Sequence, residues 1–198
     1  MIRNSGNFQG DGLRALEARI RALGKKKAVV GVPASKNSDQ DGTSMVTIAA
    51  AHEFGAQINV PAKTVTVYRK IEADGSFARN GKFVKASKSN FSTTHTVPAH
   101  TIKIPERSFL RSTLNENKEA MVKDLADNLR NAIQGDMSTD AAFLDVGNKL
   151  VGKVKEKIMS GINPPLSQST IRKKKSSKPL IDSGNLFNSI HAEVREDG

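Results

Sequence analysis

The sequence predicts an α+β fold: several amphipathic helices packed on a small antiparallel sheet, with an extended β-hairpin arm. Three observations carry this. Apolar residues recur at spacings of three and four through residues 11–23, 45–54, 109–133 and 139–158, the signature of one-sided helices. Between residues 62 and 103 that period gives way to alternating, Thr-rich segments separated by tight-turn dipeptides. Strands and helices do not alternate regularly, which excludes a doubly wound sheet.

Residues 1–10, polar and rich in Gly and Asn, read as a loose arm. Asp11 opens a helix whose apolar face is Leu13, Leu16, Ile20 and Leu23, with Gly24 as its stop. Lys26–Pro33 reads as a short strand around Val29, Val30 and Val32, and residues 34–42 as a turn-rich loop. Thr43 or Ser44 caps a second helix through Met45, Ile48, Ala49 and His52, ended by Gly55. Thr64–Ile71 alternates, Asp74-Gly75 and Asn80-Gly81 mark turns, and Lys82–Lys85, Phe91–Val97 and Thr101–Ile104 are further strand candidates. This β-rich insertion, 62–103, cannot bury both faces by itself and is expected to lean on a neighbouring chain.

From Phe109 the helical period returns. Leu110, Leu114, Met121, Leu125, Leu129 and Ile133 mark a long helix stopped by Gly135. Ser138 or Thr139 starts another, with Phe143, Val146, Leu150, Val154 and Ile158, before Gly161 and Pro164-Pro165. Ser167 caps a short basic helix, Asp182 or Ser183 caps one through Leu186, Phe187 and Ile190, and His191–Arg195 is a last strand. The core domain is expected over 11–61 and 104–198.

A chain of 198 residues can bury a core without metal or disulfide. With no cysteine it has no disulfide framework, thiolate metal site or cysteine nucleophile. No apolar run reaches the 18 residues of a membrane span, and Met1–Gly12 lacks the apolar core of a signal peptide. A soluble, cytosolic chain is expected. The net charge of +11 points to a polyanionic neighbour, yet one Tyr, eight Phe and no Trp are few rings for a single-strand stacking platform.

Candidate chemistry is incomplete wherever it begins. Gly147–Val154 nearly spells a phosphate loop, but Val154 stands where a magnesium-binding hydroxyl belongs, and the segment reads as a helix with two small residues for close packing. His52-Glu53 begins like a zinc-protease motif, but position 56 is Ala. His95 and His100 lack companion ligands, Asp136, Asp140 and Asp145 are scattered, and no Gly-x-Ser-x-Gly elbow occurs. No enzyme activity, cofactor or metal is therefore expected. The densest charge run is Arg172, Lys173, Lys174, Lys175 and Lys178. It reads either as a surface for DNA or an acidic partner or as a solvated loop.

Three ordered stretches carry a resemblance. They are Ala49–Gly55 (AAAHEFG) followed by Ile58–Pro61, then Ile104–Arg111 (IPERSFLR), then Pro179–Leu186 (PLIDSGNL) with Ser189-Ile190. In this order they resemble the tailed-phage virion morphogenesis family of Mu-like tail-completion or neck proteins, and the related head–tail joining family. The likeness spans residues 11–195; Ser108 stands where the family usually has Pro, and 62–103 looks like an insertion. Physically these are framework residues. Gly55 ends a helix, Pro105 ends a strand for want of an N–H, and Phe109 anchors a helix start. Asp182 and Ser183 accept N–H bonds from the helix that follows. Arg107 and Arg111, one helical turn apart, are expected to face a carboxylate on another subunit.

The resemblance implies a structural virion protein at the neck or tail top, assembled in the host cytoplasm. It implies a homo-oligomeric, six-fold ring joining the tail to the DNA-filled head. Its partners would be connector or portal-side proteins, tail terminator, tube or sheath proteins, and genomic DNA in the lumen, with no membrane. The alternative from composition alone is a non-specific DNA-binding protein using its basic surface.

Overall fold

In the computed structural model, which describes residues 10–174 and 177–196, the chain runs through six helices and eight strands. In order these are α1 (Gly10–Leu23), β1 (Lys26–Gly31), β2 (Asp39–Gln40), β3 (Thr43–Ser44) and α2 (Met45–Phe54). There follow β4 (Ala56–Val60), β5 (Lys63–Arg69), β6 (Phe91–Val97) and β7 (His100–Ile104). The chain ends with α3 (Arg111–Gln134), α4 (Thr139–Ser160), α5 (Gln168–Lys174), α6 (Asn185–Ser189) and β8 (His191–Glu196). The fold is α+β, and every strand pairing is antiparallel and two-stranded. The expected arm at the N-terminus lies outside the described residues as far as Gln9.

The chain divides into two units: Met1–Gly55 with Pro105–Gly198, and Ala56–Ile104. The division corrects the expected boundary at residue 62. Strand β4 belongs with the insertion because its ladder, Ala56↔Ile104 to Val60↔His100, is made with β7.

In the first unit β1 pairs with β8 from Lys26↔Glu196 to Gly31↔His191. Helix α4 crosses this ribbon so closely that a Cβ built on Gly147 would stand 2.8 Å from the Ala192 Cβ. Of the two small residues expected to permit close packing, Gly147 alone does so; around Gly152 there is open space. The core gathers Met45 and Ala49 of α2, Val154 and Ile158 of α4, and Phe109, Leu180, Leu186 and Ile190. Ser44 and Ser138 cap α2 and α4 by accepting the Thr47 and Ala141 N–H groups. Helix α1 forms as its period predicts, but Leu16 and Ile20 on its apolar face stay exposed.

The second unit is built differently. The register of β4–β7 continues unchanged into β5–β6: Val60 faces His100, and Lys63 then faces Val97. Between these pairs lie Pro61 and Pro98, one on each strand, and proline has no N–H to give the ladder. Ala56 to Arg69 is therefore one arm of a ribbon with a contour of about 45 Å at roughly 3.3 Å per residue. Every residue of this unit is described, and none is buried. Lys82–Lys85 is not a strand. This stretch folds back on β5 instead, its Val84 N–H donating to the Tyr68 carbonyl at 2.9 Å.

Candidate functional site

The first two stretches of the resemblance meet at one carboxylate. Glu53 lies in the last turn of α2 and is 3% exposed. Its Oε2 accepts the backbone N–H groups of Phe109 (2.8 Å) and Leu110 (2.9 Å). Its Oε1 accepts the Ser108 hydroxyl (2.7 Å), the Arg111 N–H (3.0 Å) and the Arg111 Nε (3.0 Å). The first N–H groups of a helix have no partner inside it, and here a side chain from another helix supplies the acceptor for α3. Burial would push the Glu53 carboxyl up, but its hydrogen bonds from Leu110, Ser108, Arg111 and Phe109 outweigh that and hold it below its ordinary value. Ser108 contributes a donor that proline at this place would lack.

The third stretch joins the same core from the other side. Leu180, Leu186 and Ile190 pack with Met45 and Ala49. The Ser183 hydroxyl donates to Gln40 Oε1 at 3.0 Å and accepts the Asn185 N–H at 3.4 Å. Gly184, with φ 83°, holds the N-cap position of α6. Neither expected cap, Asp182 or Ser183, holds that position; Ser183 sits one residue before it and meets α6 through the long bond from the Asn185 N–H. Gly55 caps α2 at φ 74°, Pro105 directly follows the end of β7, and Phe109 is completely buried.

The two arginines do not stand as expected. Arg107 is 4% exposed; its Nε and Nη2 donate to the Pro164 and Pro165 carbonyls at 2.8 and 3.3 Å, and its N–H to the His52 carbonyl at 2.7 Å. It is a tie inside the subunit: the buried guanidinium has its N–H donors satisfied by backbone carbonyls of its own chain. Arg111 finds its carboxylates within its own chain. It pairs with Glu53 and, at 2.7 Å, with Glu106, while its guanidinium lies 4.5 Å from the centre of the Phe54 ring. In the basic run, Arg172 is exposed at the end of α5, and Lys178 Nζ donates to the Met159 carbonyl at 3.0 Å. Lys175 and the side chains of Lys173 and Lys174 lie outside the described residues.

Beside the Glu53 junction a groove of about 540 Å³ opens between β1, α2, α3 and α4. Its walls are apolar: Val30, Ala49, Leu114, Met121, Leu150 and Val154 are among them. Glu53 and Arg111 are its charged residues, and each is engaged with the other. Val46, Phe54 and Leu114 at this groove are exposed apolar side chains, a surface suited to apolar contact. The near-phosphate-loop stretch is helical throughout, inside α4. His95 Nε2 and His100 Nδ1 bond different neighbours, Thr93 Oγ1 at 3.1 Å and the Pro98 carbonyl at 3.0 Å. Among the described residues no group of His, Asp or Glu is arranged to hold a metal ion, and no helix is long and apolar enough to cross a membrane.

Glu53 was missed by the sequence reading, though a signal existed. A carboxylate in the last turn of a helix opposes the helix dipole and so calls for a compensating donor set nearby. No known family model, curated protein or solved structure matches this chain.

Proposed function

We propose that the chain is a structural virion protein of a tailed phage: a neck or tail-completion component that forms a homo-oligomeric ring and joins the tail to the DNA-filled head. The observation carrying this reading is the second unit. A segment of 49 residues without one buried residue has no core of its own, and a lone two-stranded ribbon is marginal in water. Its stability has to be completed by contacts with other chains. Ile58 and Ile102, directly opposed across β4–β7 and nearly half exposed, are the apolar pair such a contact would cover.

The first unit supports the same reading. Its three family-like stretches serve as framework, and its groove and α1 present apolar side chains outward. The resemblance names the other participants: further copies of this chain in six-fold arrangement, connector or portal-side proteins, and tail terminator, tube or sheath proteins. The protein would act at the virion neck after assembly in the host cytoplasm, by binding energy rather than by turnover.

Light scattering on the size-fractionated protein, alone and with purified tails or connectors, tests this. Assembly to a closed ring or onto tails is the expected outcome. A strictly monomeric protein that stays off tails, or normal virions from a phage lacking the gene, would overturn it.

A further inference from the structure

We infer that the loop end of the second unit is a binding site for the phosphate backbone of duplex DNA. Charge leads there first. Residues 56–104 hold eight Lys and Arg against two acids, Glu72 and Asp74, a formal +6. The rest of the chain, three times as long, holds 23 against 18, a formal +5. More than half of the excess positive charge thus sits on a quarter of the residues.

That charge converges on a concavity. Lys70, Arg79, Lys85 and Lys88 line a hollow of about 670 Å³ with Glu72 and Phe83. Lys70 pairs with Glu72 at 3.5 Å. Among the described residues Arg79, Lys85 and Lys88 have no carboxylate partner, and neither has the adjacent Lys82. All are exposed.

The hollow is held open by a defined scaffold rather than by a loose run of charge. The Arg69 guanidinium lies between two rings, 5.5 Å from the centre of Phe77 and 5.0 Å from that of Phe83, and its Nε donates to the Gly81 carbonyl at 3.2 Å. Asn90 closes the base, exchanging 2.7 Å bonds with both the N–H and the carbonyl of Ile71. Arg79 and Asn80 hold left-handed backbone, φ 53° and 55°, a conformation that non-glycine residues keep where their surroundings fix it. Arg79 is thereby presented from a turn while Lys85 and Lys88 come from the returning segment. Exposed cations carried on a defined backbone around a hollow suit a rod of phosphates. Phe77, Phe83 and Phe91 are exposed here, but Phe77 and Phe83 flank the Arg69 guanidinium and Phe77 meets Phe91 edge to face, so these rings are engaged with the protein and do not form a stacking platform for a single strand. This inference needs only the second unit's own residues and stands apart from the ring.

Fluorescence anisotropy of the full-length protein with a labelled random-sequence duplex of about 30 base pairs, from about 50 to 200 mM salt, tests it. With four phosphate contacts the affinity falls about 150-fold across that range. The variant Arg79→Gln/Lys85→Gln/Lys88→Gln should bind more weakly, with a log–log salt slope shallower by about 2.7. The charge-preserving Arg79→Lys/Lys85→Arg/Lys88→Arg should retain both affinity and slope, which separates lost charge from lost folding. Three outcomes would overturn the site: no duplex binding at the lowest salt, an unchanged slope in the Gln variant, or polyglutamate bound in preference to DNA. Loss of binding in Arg172→Gln/Lys178→Gln with none in the Gln variant of the loop would also overturn it.

Discussion

The two units of this chain solve the same problem, how to hold polar groups and charge, in opposite ways. The first turns them inward. Glu53 is buried against five donors and Arg107 against two carbonyls. The second buries nothing and leaves most of its cations without a carboxylate. Burial plus internal satisfaction makes a unit stable on its own terms. A ribbon with open faces and unanswered charge is stable only to the extent that something else covers it. The difference separates a unit with its own core from one without, within one sequence.

The sharpest way to break this comparison is Glu53→Ala. It orphans the start of α3 in a buried place and should lower the unfolding free energy by about 3–5 kcal/mol, measured by urea denaturation. A loss below about 1 kcal/mol would mean the junction is not what organises the first unit.

Acid gives a subtler separation. Because the folded state holds the Glu53 carboxyl below its ordinary 4.5, its contribution is whole above that value and is lost as pH falls through the lower folded one. Asp145, held down by Asn128 and Lys149, acts in the same direction. Thermal melts at steps below about pH 5 should show falling stability, with a weaker pH dependence in Glu53→Gln. Equal pH dependence in the two proteins would remove Glu53 from the account.

The smallest effect is expected in the ribbon. Ile58→Ser with Ile102→Ser should change the stability of dilute monomer by less than about 0.5 kcal/mol, yet raise the concentration needed for self-association in sedimentation experiments. A large monomer penalty would show that the second unit carries a core after all.

Much of the fold was legible because its signals are local. The three-and-four spacing of α3 and α4, the serine caps, and the glycine stops at Gly55, Gly135 and Gly161 each act within one element. What could not be read depends on partners distant in sequence. Nothing in Lys26–Gly31 names His191–Glu196 as its partner strand, and nothing in Lys82–Lys85 says that it folds back on Tyr68 instead of pairing as a strand. The site divides along the same line. Gly55, Pro105 and Phe109 act through their own backbone or bulk, whereas the Ser183 hydroxyl bonds Gln40, a partner distant in sequence. Arg107 and Arg111 were expected to face a carboxylate on another subunit, from their spacing of one helical turn. Of their actual acceptors only Glu106 is near in sequence; the Pro164 and Pro165 carbonyls and the Glu53 carboxylate lie more than fifty residues away.

The unbroken register across Pro61 and Pro98 makes the ribbon a ruler. Since Thr64↔Thr96 and Val65↔His95 are successive rungs, removing these four residues together would draw the loop end in by about 6.6 Å while every remaining side chain keeps its face. Reach and chemistry are thereby uncoupled: paired insertions or deletions set how far the charged tip extends, and the tip itself stays the same.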